Sequence, residues 1–206
     1  MLPTISFLMA ATLLAIIPGP GVAYVVARTV AGGRVEGIAS TLGLSLGGLV
    51  HVLAAALGLS LLIAQSAMAF MVVKYLGAAY LIYLGIKMIL SKPDDSGSFA
   101  VRRAGPAKAF RDGIIVETLN VKTAMFFLAF IPQFVSAQQA MAPQFILLGS
   151  ICVLLNSTVD LVAVFAASRI VGSGVAKAAR ERLLSRLSGA TMMTLGVLVA
   201  IANREA

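Results

Sequence analysis

The chain has 206 residues, of which 60% are hydrophobic and only 12% are charged, and its mean hydropathy is +0.99. A soluble domain usually carries about 25% charged residues, so this composition excludes a soluble fold and indicates lipid as the surrounding solvent. The net charge of +8 does not indicate nucleic-acid binding, because the basic residues lie in the gaps between apolar runs and form no stripe with aromatic residues.

Six apolar runs, most of them about 20 residues or longer, follow one another along the chain. They cover residues 7–27, 38–63, 68–90, 110–134, 145–168 and 187–202. The first run exceeds a secretory signal in length and lacks its basic start, so we expect it to be retained as a span. No run alternates with the period of two that a membrane barrel shows. The sequence therefore predicts an all-α polytopic membrane protein with six transmembrane helices.

The basic residues predict the direction of these helices. Thirteen of the 16 Lys and Arg residues lie in or beside the first, third and fifth gaps, and the second and fourth gaps contain none. By the positive-inside rule the odd gaps are cytoplasmic and both chain termini lie outside.

The longest hydrophilic stretch divides the chain into two halves. Residues 91–109 are rich in Pro, Gly, Asp and Arg, which favours a flexible cytoplasmic linker between half 1 (about 1–90) and half 2 (about 110–206). Each half contains three spans, an odd number, so the halves have opposite orientations in the membrane. We therefore expect one transmembrane domain over 1–206, built as two inverted three-helix repeats, which is a common transporter plan.

Helix-breaking residues interrupt the first span. They are Pro18, Gly19, Pro20 and Gly21. Each proline lacks an N–H and crowds the carbonyl four residues back, on Leu14 and Ile16. A broken helix offers a positive N-terminal end to a carboxylate and free carbonyls to a cation, and a zwitterionic amino acid carries both groups. We interpret the motif as part of a substrate site, with a simple proline kink as the alternative.

Polar residues also interrupt the fourth span, at Glu117, Asn120 and Lys122. Charged groups within a span face the protein interior or one another, so we predict that these residues line the same substrate site. The alternative is that Glu117 and Lys122 lie near the cytoplasmic interface and extend to it.

Two further titratable residues are candidates for proton coupling. Asp160 lies in the middle of the fifth span, one helical turn after Asn156, where a carboxyl group must be protonated, paired or beside water. His51 is the only histidine and lies within the second span. It is either a proton relay or a packing residue. The single cysteine, Cys152, is read as a packing residue, and no catalytic residue, metal ligand set or cofactor motif is predicted.

Four stretches of sequence carry a resemblance to a known family. They are IPGP at 17–20, KYLGAAYLIYLGIK at 74–87, NVKTAMFF at 120–127 with FIPQF at 130–134, and the glycines at 189 and 196. Over nearly its full length the chain resembles the LysE/RhtB family of amino-acid exporters. The resemblance implies a bacterial inner-membrane exporter, driven by protons, for amino acids or their derivatives. The family usually has Asn-Pro-Lys in the fourth span, whereas Val121 replaces the proline here, which predicts a second break weaker than the first.

Two rival functions remain at this stage. Export of a metal or inorganic ion requires several convergent ligands, and the chain offers a dispersed supply. A membrane-embedded enzyme or a non-transporting subunit is the other rival, although no clustered nucleophile or HExxH motif is present. The expected partners are a small-molecule substrate, protons and the lipid bilayer, and the glycine-rich helix faces permit a homodimer without requiring one.

Overall fold

The computed structural model describes residues 5–59, 103–136 and 138–170, with scattered positions between 66 and 90 and between 193 and 200. Most of the third and sixth predicted spans and of the predicted linker lies outside the described residues. All regular structure within the described residues is helical, which confirms the all-α prediction. The helices are α1 (Ile5–Ile16), α2 (Pro20–Ala54), α3 (Pro106–Thr118), α4 (Val121–Ala129) and α5 (Met141–Ile170), with a π-helical turn at Ala55–Leu59 and a 3-10 turn at Ile131–Phe134.

Length and hydropathy identify the membrane-crossing candidates among the described helices. By length and composition Pro20–Gly58, which a kink at Gly33 divides, and Met141–Arg169 are candidates, and Pro106–Thr118 with Val121–Phe134 forms a third candidate, bent by 44°. Large apolar side chains such as Leu13, Leu42 and Leu154 are exposed on these helices, as expected where lipid covers the surface.

The long helix α2 reverses direction at Gly33. This glycine has φ 78° and ψ −173°, a conformation that L side chains rarely adopt. A methyl group on Gly37 would overlap the Thr29 hydroxyl, although eight residues cover about 12 Å of a straight helix. We therefore describe α2 as two antiparallel arms, residues 20–32 and 34–54. The first arm continues the first predicted span and the second arm begins the second.

The second arm of α2 packs antiparallel to α5. The hydroxyl oxygens of Ser45 and Ser157 lie 2.7 Å apart, and one turn further along a methyl group on Gly48 would lie 3.0 Å from a methyl carbon of Val153. The positions on α5 fall as those on α2 rise, which is the direction expected of the second and fifth of six alternating spans.

The same arm packs parallel to α3 through small residues. A methyl group on Gly43 would overlap the Phe110 carbonyl oxygen, and one on Gly47 would lie 2.7 Å from that of Ile114. Glycines thus allow the two backbones to touch, as in other membrane helix pairs. These directions agree with alternating spans. The inverted repeat, the orientation of the termini and a homodimer remain predictions.

Aromatic side chains join α1 to the α4 region on the far side of the breaks. The ring of Phe7 meets that of Phe134 edge to face at 5.3 Å, and Phe126 stacks on Phe130 at 4.7 Å. Such pairs stabilise beyond the area that they bury, by about 0.5–1.5 kcal/mol each. The Phe7–Phe134 pair holds the start of α1 against the end of the second broken helix, and the Phe126–Phe130 pair lies within that second helix.

Candidate functional site

The first break lies between α1 and α2. Gly19 has extended backbone angles (φ −118°, ψ −169°), and Pro20 takes the first helical position of α2, where its missing N–H is not needed. Freed carbonyls at the end of α1 accept hydrogen bonds from the Lys122 ammonium, Ile17 at 2.9 Å and Leu14 at 3.3 Å. The sequence predicted the freed carbonyl of Leu14. The second bonded carbonyl belongs to Ile17 and not to Ile16, because the chain leaves the helix at that point.

The second break lies between α3 and α4 and forms without the family proline. The Asn120 side chain accepts a hydrogen bond from the Lys122 backbone N–H at 3.1 Å, so it acts as the N-cap of α4. Its amide nitrogen donates to Glu117 Oε2 at 2.9 Å, and the Thr123 hydroxyl donates to Glu117 Oε1 at 2.7 Å. An asparagine cap therefore ends one helix and begins the next without a proline at position 121.

The two broken helices run antiparallel and meet at their breaks. A methyl group on Gly21 would lie 3.2 Å from Glu117 Oε2, and one on Gly19 would lie 3.1 Å from Lys122 Nζ. The Glu117 carboxylate thus lies at the positive N-terminal end of α2, and the Lys122 ammonium lies at the negative C-terminal end of α1. Lys122 is only 9% exposed, so the alternative that it extends to the membrane interface does not hold.

A cavity lies where the breaks meet α5. Its wall includes the polar side chains of Glu117, Lys122, Asn156 and Asp160. Asp160 is only 5% exposed, yet its carboxyl group makes no hydrogen bond or ion pair with any residue that the structure describes. Glu117 and Lys122, by contrast, each have two such partners.

The remaining predicted site residues lie beside the cavity. His51 is half-buried, and its Nε2 is 2.8 Å from the Glu117 carbonyl oxygen, so this nitrogen carries the proton and donates. The ring lies 6.0 Å from that of Phe127. Gly19 and Gly21 line the cavity, whereas Pro18 and Pro20 do not. The prolines break the helix and the glycines let neighbouring groups approach.

Sequence reasoning missed three hydroxyl groups in the cavity wall, those of Ser45, Thr123 and Ser157. Each serine hydroxyl also donates to a carbonyl oxygen of its own helix, and that of Ser157 donates to Val153 at 2.7 Å. Single serines within apolar runs are common in membrane helices, so only the pairing of the two helices distinguishes them.

A second polar cluster, also missed, joins the turn at Gly33 to the start of α3. Arg28 is only 6% exposed and binds the Asp112 carboxylate at 2.7 Å. Glu36 lies 3.9 Å from the same guanidinium and accepts hydrogen bonds from the backbone N–H groups of Ala104 (3.1 Å) and Gly105 (2.8 Å). The end of the predicted linker is therefore held by Glu36, and α3 begins four residues before the predicted span. The acidic residues close to a predicted cytoplasmic gap were the one feature of the sequence that could have indicated this cluster.

The geometry defines a class of protein. In hydrocarbon, freed backbone groups are tolerated only against protein or a wet cavity, and broken helices meeting at such a cavity are typical of membrane transporters. No three His, Cys, Asp or Glu side chains come together as a metal site anywhere among the residues described.

The particular family follows from comparison with known proteins. The chain belongs to the family of LysE type translocators, whose model matches residues 12–203. The predicted family is confirmed, as are the predictions of a transporter rather than an enzyme and of a multi-pass protein of the bacterial inner membrane.

Three similar proteins illustrate the range of this family. The homoserine/homoserine lactone efflux protein of Salmonella typhimurium is 28% identical over 198 residues, 96% of each chain. The uncharacterized membrane protein YrhP of Bacillus subtilis is 36% identical over 160 residues, 73% of this chain and 76% of its own. The leucine efflux protein of Salmonella choleraesuis is 30% identical over 131 residues, 63% and 62% of the two chains. No solved structure matches the chain.

Proposed function

We propose that this translocator exports amino acids or their derivatives from the cytoplasm in exchange for protons. Similar proteins carry the names of homoserine, homoserine lactone and leucine efflux proteins, which supports an amino-acid substrate. The observation that carries the coupling proposal is the buried Asp160 carboxyl group, which lacks a protein partner among the described residues and faces the cavity. An ionised carboxylate there is costly without a partner, so it gains a proton readily and releases it when a partner arrives.

The two breaks form the substrate site in this proposal. Gly19 and Gly21 from the first break and Glu117, Asn120 and Lys122 from the second surround the space beside Asp160. Rocking of two inverted halves about this point would expose it alternately to each side of the membrane, with both termini outside. His51 acts as a positioning residue, because its bond to the Glu117 carbonyl fixes the second break.

Efflux from proteoliposomes preloaded with labelled amino acids tests this proposal. Leucine and homoserine should leave faster when the external medium is more acidic than the lumen. Protease access determines whether the protein lies inside out or right side out in the vesicles. Asp160→Asn should abolish the acceleration by the pH gradient. Thr158→Val is the matched control, because Thr158 lies on the same helix with an exposed side chain that bonds only its own helix backbone.

Normal gradient-driven efflux by Asp160→Asn would remove this residue from the coupling mechanism. Resistance of overexpressing cells to toxic metal salts, without resistance to toxic amino-acid analogues, would instead favour ion export.

A further inference from the structure

Among the charged groups that the described residues bring to the cavity, Asp160 alone has no hydrogen-bond or ion-pair partner within that part of the chain. Glu117 already accepts from the side chains of Asn120 and Thr123, and the Lys122 ammonium already donates to two carbonyls. These two side chains occupy the two ends of the first break, the places where a zwitterion's carboxylate and ammonium would otherwise bind. Side chains of the protein therefore already satisfy both helix ends at the first break.

We propose that Asp160 binds the ammonium group of the substrate and that proton and substrate compete for this one carboxylate. The inference rests on the proposed export function and deepens it. The ionised carboxylate needs a cation in a buried site, and a proton or a substrate ammonium each satisfies that need. Binding of one excludes the other, so exchange of one proton for one substrate requires no separate proton path.

The groups around Asp160 fit this role. Within the described residues, Glu117 on α3 and Lys122 on α4 are the titratable groups that face it, and their opposite charges leave Asp160 as the unbalanced one. The two arms of α2 contribute only uncharged residues to the wall: Gly21, Val22, Leu44, Ser45 and Gly48. An ammonium therefore meets one uncompensated negative charge in the cavity.

A second free group lies one helical turn away on the same face of α5. Asn156 lines the cavity and makes no hydrogen bond within the described part of the chain. Residues four apart on a helix are neighbours, so its amide can donate to the substrate's carboxyl or carbonyl oxygen while Asp160 holds the ammonium. The substrate class is accordingly a small molecule with a protonated amine next to an oxygen acceptor. A free acid is not required, which accommodates lactones.

The test measures leucine exchange in proteoliposomes at equal pH on both sides, so that no gradient drives transport. In the wild type, the half-saturation concentration should rise about 10-fold for each unit by which pH falls once protons occupy Asp160. In Asp160→Glu the dependence should persist, and in Asp160→Asn any remaining exchange should be independent of pH. Retained competition in Asp160→Asn overturns the proposal.

An analogue separates recognition of the ammonium from folding. The hydroxy acid that carries a hydroxyl in place of leucine's ammonium should inhibit wild-type exchange at least 10-fold more weakly than leucine. In Asp160→Asn that preference should disappear in a direct binding assay on protein whose thermal unfolding matches the Thr158→Val control. Equal inhibition by both compounds in the wild type contradicts the role of Asp160, and amino-acid export then stands without it. Absence of any leucine or homoserine exchange by the wild type overturns both proposals.

Discussion

The parallel contact between α2 and α3 makes Gly47→Ala a sensitive probe of the site. A methyl group on Gly47 would lie 2.7 Å from the Ile114 carbonyl oxygen, 2.8 Å from Glu117 Cβ and 3.1 Å from the Thr118 nitrogen. Ordinary contacts begin at 3.4 Å, so α3 must move by about 0.7 Å to admit the methyl group. Two of the three obstacles are backbone atoms, which cannot rotate away. Glu117 has to move with its helix.

The expected consequences are a loss of stability and a larger loss of transport. Overpacking of a well-packed contact costs about 1–3 kcal/mol. Glu117 holds the second break in place, and a displacement of this size at a positioning group in an enzyme costs up to about 100-fold in rate, so we expect a loss of at least about 10-fold in leucine efflux. Thermal unfolding in detergent and initial efflux rates from proteoliposomes measure the two effects separately.

Gly58→Ala is the matched control, because no atom of the described residues lies within 4 Å of a methyl group at that position. Alanine there should leave efflux unchanged and unfolding unchanged or slightly later, since glycine is a poor helix former by about 1 kcal/mol. If Gly47→Ala unfolded and transported like Gly58→Ala, the close approach of α2 to α3 would not govern the position of Glu117.

Two further pairs of substitutions test the local structure. Val121→Pro should keep stability within about 1 kcal/mol of the wild type or raise it, because the first helical position needs no N–H, whereas Ala124→Pro should cost about 3 kcal/mol through loss of a hydrogen bond inside α4. Arg28→Ala should cost about 3–5 kcal/mol by leaving the buried Glu36 carboxylate without its cation, whereas Lys108→Ala, with an exposed side chain, should change stability by less than about 1 kcal/mol. Thermal unfolding in one detergent measures the stability of all four variants. Equal losses in the proline pair would contradict the first helical position of Val121, and equal losses in the other pair would contradict the pairing of Arg28 with the buried Glu36 carboxylate.

The positions of the breaks followed from the sequence because their causes are local. Proline lacks an N–H and cannot donate the helical hydrogen bond to the carbonyl four residues back. The positions of Pro18 and Pro20 in the sequence therefore located the first break. Asn120 marked the second, although its capping bond was not predicted and the missing family proline suggested a weaker break. The cap explains why the helix still breaks, with a bend of 44° between its two parts.

The partners of the charged residues did not follow from the sequence, because they depend on how distant helices cross. Lys122 binds carbonyls more than 100 residues away, which no helical spacing encodes. In the sequence, Arg28 is one of the basic residues in or beside the first gap, and these residues predicted only the direction of the helices. The positive-inside rule counts charges and says nothing about their packing, so the burial of Arg28 against Asp112 was outside its reach.

The site therefore divides its charged groups between two tasks. Glu117 and Lys122 complement the helix ends of the first break, and their internal hydrogen bonds hold the two breaks in register. Fixed charges of this kind suit a scaffold, since moving either one would leave buried groups without partners. A carrier must bind and release its cargo in every cycle, and a group that is already satisfied gains little from doing so. A buried carboxylate without a protein partner gains from any cation that reaches it, and within the described residues of the cavity that group is Asp160.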